Sequence, residues 1–267
     1  METCVFFMRT VLGIASDFDA TAMPFRFDEG MYTEVQKQDK LAFGVMRTDG
    51  HVPPMPALVR VIDETVAKLR AVGHTVVEFD AAQFNRAYEV GLEIFDADGG
   101  EDVKRVIDPI GEPLIPNLAL SPGGGVSVYE LFQLNREKEA LQQAFLDAWM
   151  ATQAATGTGR PIDGLISPAV ATVATLPGEN EHAGYTMMFN ALDLPATVWP
   201  VSTVDPSKDA MPSPPPSAIN DLHQRYLDRY DAEQLKGLPI TLQLVGRRWR
   251  DEALLSLTQR VQQILAQ

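Results

Sequence analysis

Cysteine and positive charge are both scarce in this sequence of 267 residues. Its single cysteine, Cys4, excludes an intrachain disulfide and any zinc site built from four cysteines. Only 22 lysines and arginines stand against 36 aspartates and glutamates, which gives a net charge of −14. Nucleic acids and anionic membranes bind to basic surfaces, so this balance argues against both as partners. With 45% hydrophobic residues, the composition is that of an ordinary soluble protein, and we expect an intracellular, cytoplasmic one.

No apolar run in the sequence has the roughly 20 residues needed to span a membrane. The most apolar run, residues 5–15, has the length of a signal-peptide core. However, Glu2 precedes it where positive charge is expected, and Arg9 interrupts it. Four apolar residues recur in it at helical spacing: Val5, Met8, Leu12 and Ala15. We interpret this run as a buried amphipathic helix, with a targeting peptide as the alternative.

Most familiar site motifs are missing as well. Gly123-Gly124-Gly125 lacks the following Gly-Lys-Ser/Thr of a phosphate loop, and no dinucleotide-binding glycine pattern follows the strand predicted at 41–46. There is no Gly-x-Ser-x-Gly nucleophile turn. The four histidines lie too far apart to show metal-ligand spacing: His51, His74, His182 and His223. We expect no metal and no cofactor, and we expect Cys4 to be an inert residue of a packed helix.

Short apolar runs alternate with amphipathic helical patterns along the chain. The predicted strands are 41–46, 75–79, 163–167, 196–201 and 238–245. The main predicted helices are 57–72, 83–98, 101–107, 128–152, 184–192 and 251–265. This alternation predicts an α/β fold with a layered, mixed β-sheet flanked by helices, beginning with a parallel βαβ unit. We interpret residues 1–267 as one domain in which the proline-rich segment 205–217 is a surface insertion.

Several blocks, in one order along the chain, resemble the amidase signature family. Residues 184–196 (GYTMMFNALDLPA) with Trp199-Pro200-Val201 are similar to its C-terminal motif, and residues 237–248 (GLPITLQLVGRR) to its closing strand. Asp251-Glu252-Ala253-Leu254-Leu255 is similar to its final helix. Four upstream blocks resemble the fungal acetamidase-like branch: residues 43–46, 49–50, 53–54 and 97–102.

The resemblance implies a hydrolase of small linear amides that uses no cofactor. Members of the family use a serine nucleophile, a second serine in a cis peptide bond and a lysine, which lie in the N-terminal half. This sequence has no Ser-Ser pair and no Gly/Ser-rich segment, and residues 2–8 resemble the helix that follows that region. We therefore expect the C-terminal part of an amidase, with no catalytic residue of its own and inactive alone. A truncated gene, a split enzyme and a non-catalytic binding or scaffold protein remain open, as does an unrelated small-molecule binder built on βαβ units.

By the same resemblance, the helix at 184–192 faces the substrate and the turn at Asp98 lines the acyl end of the pocket, together with an apolar patch at 114–120. The predicted substrate-binding residues are Tyr185, Thr186, Asn190, Ser167 and Asp98. Ser167 is included because strand ends in α/β sheets commonly border the site. The structural alternatives are that Asn190 braces the turn before Pro195 and that the patch packs on the body of the protein.

A sheet without the other half of the fold would have an uncovered edge and apolar face. Such surfaces favour association, so we expect either homo-oligomers or aggregation through the exposed sheet.

Overall fold

The computed structural model describes residues 1–114 and 124–266. The helices are α1 (Glu2–Leu12), α2 (Glu29–Gln36), α3 (Pro56–Ala71), α4 (Asn85–Phe95), α5 (Glu101–Ile107), α6 (Val128–Ala151), α7 (Gln153–Thr156), α8 (Gly184–Ala191), α9 (Pro206–Asp209), α10 (Asp221–Arg229) and α11 (Asp251–Leu265). The strands are β1 (Ala42–Val45), β2 (Thr75–Glu78), β3 (Gly164–Pro168), β4 (Ala196–Thr203) and β5 (Pro239–Val245).

The strands form one mixed sheet in the order β2-β1-β3-β5-β4. β1 pairs in parallel with β2 and β3, whereas β5 runs antiparallel to β3 and β4. β1 and β3 are fully buried, as expected of strands covered on both faces. The prediction of a layered, mixed sheet flanked by helices is therefore confirmed, and so is the parallel βαβ unit formed by β1, α3 and β2.

Local sequence signals explain where the longest helices begin and end. The Ser127 side chain accepts a hydrogen bond from the Glu130 N–H while the Glu130 carboxylate accepts one from the Ser127 N–H, a capping box at the start of α6. Pro56 starts α3, and Gly73 follows its end with a φ of +91°, a conformation that glycine adopts without strain. The inner face of α6 places Phe145 against Phe84 and Phe189, so aromatic packing joins α6 to α8.

The prediction of a buried helix near the N-terminus is only half right. Residues 2–12 are helical, but only Val5 is buried in α1, where it packs with Tyr32 and Leu255. Phe6 and Phe7 are 71% and 59% exposed. The reason is that one narrow side of α1 rests on α2 and α11 and nothing among the described residues covers the rest. Cys4 is exposed too, so its predicted packing role is wrong.

Four helices lie in segments that the sequence did not mark as helical: the one-turn helices α7 and α9, and the longer α2 and α10. α2 is capped by Asp28, which accepts from the Met31 N–H, and α10 by Asn220, which accepts from the His223 N–H. α2 and α10 each bury only two or three side chains.

In the segment 205–217, Asp209 is completely buried against Arg60. Most of the predicted apolar patch at 114–120 lies outside the described residues.

Candidate functional site

Helix α8 lies close to where β1 and β3 end. Its residues Tyr185, Met188 and Phe189 are almost completely buried, whereas Thr186 and Asn190 are exposed on the opposite side. Thr186 and Asn190 are four residues apart, so they share one face of the helix. Of the five predicted site residues, these two therefore present polar side chains together at the surface.

A buried Asp–His pair fixes the start of α8. Asp49, in the turn after β1, and His182, two residues before α8, each have a side chain that is 2% exposed, and the His182 Nε2 is hydrogen-bonded to the Asp49 Oδ2. The other carboxylate oxygen, Oδ1, accepts the N–H groups of His51 and Val52 at 3.0 Å each. A Cβ added to Gly184 would overlap both Asp49 and His182, so only glycine fits at the first position of the helix.

Two further hydrogen bonds tie the first turn of α8 to the rest of the chain, one to the segment after β1 and one to β5. The Tyr185 hydroxyl donates to the Val52 carbonyl at 2.7 Å, and burial raises the pKa of this phenol well above its usual range. The Gln243 amide of β5 donates to the carbonyls of Pro168 and Tyr185, both at 2.7 Å. Tyr185 thus braces the helix from beneath, under the face that carries Thr186 and Asn190.

Ser167 and Asp98 stand in quite different surroundings. Ser167 is completely buried near the end of β3, and its hydroxyl donates to the Pro168 carbonyl at 3.1 Å. Asp98 is exposed and accepts the N–H groups of Gly100 at 2.8 Å and Asp102 at 3.0 Å. These backbone hydrogen bonds lower the pKa of Asp98. No hydrogen bond within residues 1–114 and 124–266 joins Asp98 to α8.

The turn after α8 is closed by the main chain. The Asp193 N–H donates to the Asn190 carbonyl at 3.1 Å, and the Leu194 N–H donates to the Phe189 carbonyl at 3.0 Å. Asp193 has a positive φ of 56°, and its carboxylate pairs with the Arg248 Nε at 2.6 Å. The chain then passes directly into Pro195 and β4.

An apolar groove of about 630 Å³ lies between α1 and the start of β4, and we call it the α1–β4 groove. It is lined by Met1, Thr3, Cys4, Phe7, Met8, Pro195, Ala196, Thr197, Val198, Asp251, Leu254 and Leu255. Asp251 is the acidic residue of this lining, and burial raises the pKa of its carboxyl, helped by the neighbouring charge of Glu252. Pro195, one of the residues that line the groove, follows Asn190 by five positions in the sequence.

The part of the chain that the structure describes holds no cluster of three or more histidine, cysteine, aspartate or glutamate side chains placed to bind a metal ion. Within the same residues, no helix is both long enough and apolar enough to cross a membrane.

Sequence reasoning missed the pair of Asp49 and His182, which holds α8 in place. The Asp49-Gly50 turn and the position of His182 just before the block 184–196 were the available signals. Neither signal indicates that the two side chains meet, because 133 residues separate them.

Comparison with known proteins gives consistent results. The family model described as Amidase matches residues 1–255. Amidase 1 of Gibberella moniliformis is 34% identical over 245 residues, which are 91% of this chain and 46% of that protein. The acetamidase of Emericella nidulans is 30% identical over 272 residues, which are 99% of this chain and 49% of that protein. The chain thus spans about half the length of these curated relatives.

A solved structure titled fatty acid amide hydrolase has the same fold. It superposes with a TM-score of 0.85 at 24% sequence identity, over 98% of this chain and 46% of that one.

Proposed function

The chain belongs to the amidase family, and we propose that it forms one wall of a site that hydrolyses small linear amides. The observation that carries the proposal is the pair of exposed polar side chains, Thr186 and Asn190, in a block of sequence that resembles the family's C-terminal motif. The similarity to an acetamidase supports a small amide as the substrate.

Rigid placement of α8 supports a role in binding. The Asp49–His182 pair and the Gln243 amide hold the helix at its first turn, and the Tyr185 hydroxyl anchors it to the segment after β1. Side chains on a rigid element hold a substrate more accurately than those on a loop, because less conformational freedom is lost on binding. In the proposed site, the Thr186 hydroxyl and the Asn190 amide hydrogen-bond the substrate, and neither takes part in covalent chemistry.

The reacting groups must come from elsewhere. Amide hydrolysis by a serine requires an activated hydroxyl next to a base, and donors directed at the oxygen that becomes negatively charged. None of the serines in these 267 residues is adjacent to another, and Ser167, the next-to-last residue of β3, is completely buried. We propose that a complementing amidase segment supplies the serine pair and the lysine, and that no turnover occurs without it.

A hybrid enzyme tests this division of roles. The N-terminal half of the Emericella nidulans acetamidase would be joined just before Glu2, and acetamide hydrolysis would be measured on hybrids that melt cooperatively. We expect hydrolysis by the hybrid and none by the 267 residues alone. Asn190→Ala and Thr186→Val should each raise KM up to about tenfold with a small effect on kcat, since each removes one neutral hydrogen bond of about 0.5–1.5 kcal/mol.

Thr33→Val is the matched control. The Thr33 hydroxyl donates to the Glu29 carbonyl of α2, just as the Thr186 hydroxyl donates to the Ala183 carbonyl before α8. The Thr33→Val substitution should leave KM and kcat unchanged. A cooperatively folded hybrid that carries the serine pair and the lysine but does not hydrolyse acetamide would refute the proposed function. In that case, a binding or scaffold role would be favoured.

A further inference from the structure

A cavity of about 290 Å³ lies beside α6, where this helix meets the turn from α8 to β4 and the segment after β5, and we call it the α6 cavity. Three of its lining residues are apolar and almost completely buried: Phe145, Trp149 and Leu192. Its volume is near the lower end of the range of about 300–1,000 Å³ that is usual for small-molecule sites. The α6 cavity therefore has the size for a small metabolite.

The more exposed part of the lining carries charge. The Arg248 Nε pairs with the Asp193 carboxylate at 2.6 Å, so the charge of this arginine is compensated. Two further charged side chains line the cavity, Arg247 and Glu139, and both are exposed. Within residues 1–114 and 124–266, neither of them forms an ion pair or a side-chain hydrogen bond. One positive and one negative group thus remain for a ligand.

These two charges favour a ligand that is a zwitterion. A guanidinium binds a carboxylate through parallel hydrogen bonds, and a carboxylate binds an ammonium group. A simple carboxylic acid would satisfy Arg247, but it would leave Glu139 unpaired and add a second negative charge to the cavity. A zwitterion satisfies both groups. Since its net charge is zero, it is also not repelled by the net charge of −14 on the chain.

We propose that the α6 cavity binds a free amino acid with an apolar side chain, such as leucine. Its carboxylate binds Arg247 and its ammonium group binds Glu139. The side chain packs against Phe145, Trp149 and Leu192, where burial of apolar surface adds to the affinity.

The α6 cavity borders the end of α8 but not its exposed polar face. Leu192 and Leu194 line it, and their N–H groups each donate to a carbonyl of α8 at 3.0 Å. Thr186 and Asn190 do not line it. The inference therefore goes beyond the proposed function and does not depend on it. A bound amino acid should stabilise the turn, so that hydrogen exchange at the N–H groups of Leu192 and Leu194 becomes slower.

Equilibrium dialysis of radiolabelled L-leucine against the 267 residues tests the proposal without relying on catalysis. We expect saturable binding with a Kd of about 1 mM or below. Two analogues each lack one charge: 4-methylpentanoate has no ammonium group, and 3-methylbutylamine has no carboxylate. Each should bind about threefold more weakly or worse. Glycine, which has both charges and no side chain, should bind about fivefold more weakly or worse.

Two substitutions connect each charge of the ligand with its partner. Glu139→Gln should bind leucine and 4-methylpentanoate equally, because the group that binds the ammonium is gone. Arg247→Gln should bind leucine and 3-methylbutylamine equally. The matched controls are Glu233→Gln and Arg26→Gln, which change exposed residues that do not line the cavity and that have no ion pair in the described part of the chain. Both controls should retain the preference for leucine over its analogues.

Three results would overturn the proposal. The first is the absence of saturable leucine binding up to about 10 mM. The second is equal binding of leucine and either analogue by the unchanged chain. The third is an equal loss of leucine preference in the cavity variants and in their controls, when all of them melt cooperatively.

Discussion

Removing the Asp49 carboxylate should destabilise the protein more than any single surface change. In Asp49→Ala, the N–H groups of His51 and Val52 lose their acceptor, and the buried ring of His182 loses its partner. Breaking one side of a buried pair of this kind costs about 3–5 kcal/mol, because the remaining polar groups stay desolvated. We expect a loss of that size in the free energy of unfolding.

The corresponding change in melting temperature follows from the chain length. At about 2.1 cal/mol/K per residue, the unfolding entropy of 267 residues is about 0.56 kcal/mol/K. A loss of 3–5 kcal/mol then lowers Tm by about 5–9 °C, which circular dichroism and calorimetry can measure. Asp49→Asn should lose less than half as much, because its amide oxygen can still accept the two backbone N–H groups.

Asp19→Ala is the matched control. Asp19 also accepts backbone and side-chain hydrogen bonds within a turn, from Thr21, but it is exposed, so water can replace the lost acceptor. Its Tm should change by less than about 1 °C. Amide exchange in α8 should accelerate in Asp49→Ala and not in Asp19→Ala. Equal melting temperatures for the two variants would refute the view that the buried pair fixes α8.

Three further substitutions, the first with a matched control, test the packing and the buried charges of the fold. Gly184→Ala should cost about 1–3 kcal/mol by overpacking. Gly13→Ala should be neutral or slightly stabilising in thermal melts, because φ is −69° and an added Cβ would make only ordinary contacts, at 3.6 Å, with the Arg9 and Thr10 carbonyls. Asp251→Asn should raise Tm at pH 7, because the raised pKa means that the ionised form is disfavoured in the folded state. This advantage should disappear as pH falls below the ordinary aspartate value. Arg60→Met should cost about 3 kcal/mol at pH 7 by leaving Asp209 buried without its partner. Burial opposes ionisation of Asp209, but its hydrogen bonds with Arg60 hold the pKa of the carboxyl below the usual value. Without Arg60 the buried carboxyl takes up a proton more readily, so the cost of the substitution should be smaller at pH 4. Urea unfolding at pH 7 and pH 4 can check this.

Elements with strong local signals could be predicted from the sequence. Each of the five strands is a short apolar run, and the structure places each within a few residues of its predicted bounds. α6 was equally clear, because Ser127 and Glu130 form a capping box before a long apolar stripe. α2 and α10 were missed because each is short and mostly polar, so a single cap, Asp28 or Asn220, was the main signal.

Long-range contacts could not be predicted in the same way. The order of the strands depends on pairing between distant segments, and neither the hydrophobic pattern nor the turns specify it. The candidate site shows the same limit on a smaller scale. Tyr185 and Thr186 are neighbours in one motif, yet one is 1% exposed and the other lies at the surface, because successive residues point in different directions around a helix.

The position of α8 also allows binding of substrate to be separated from assembly. Hydrogen bonds from residues within this chain hold Tyr185 and the first turn of the helix, so Thr186 and Asn190 are in place before any other segment docks. In a complemented enzyme, substitutions at Thr186 and Asn190 should therefore change KM at constant complex affinity.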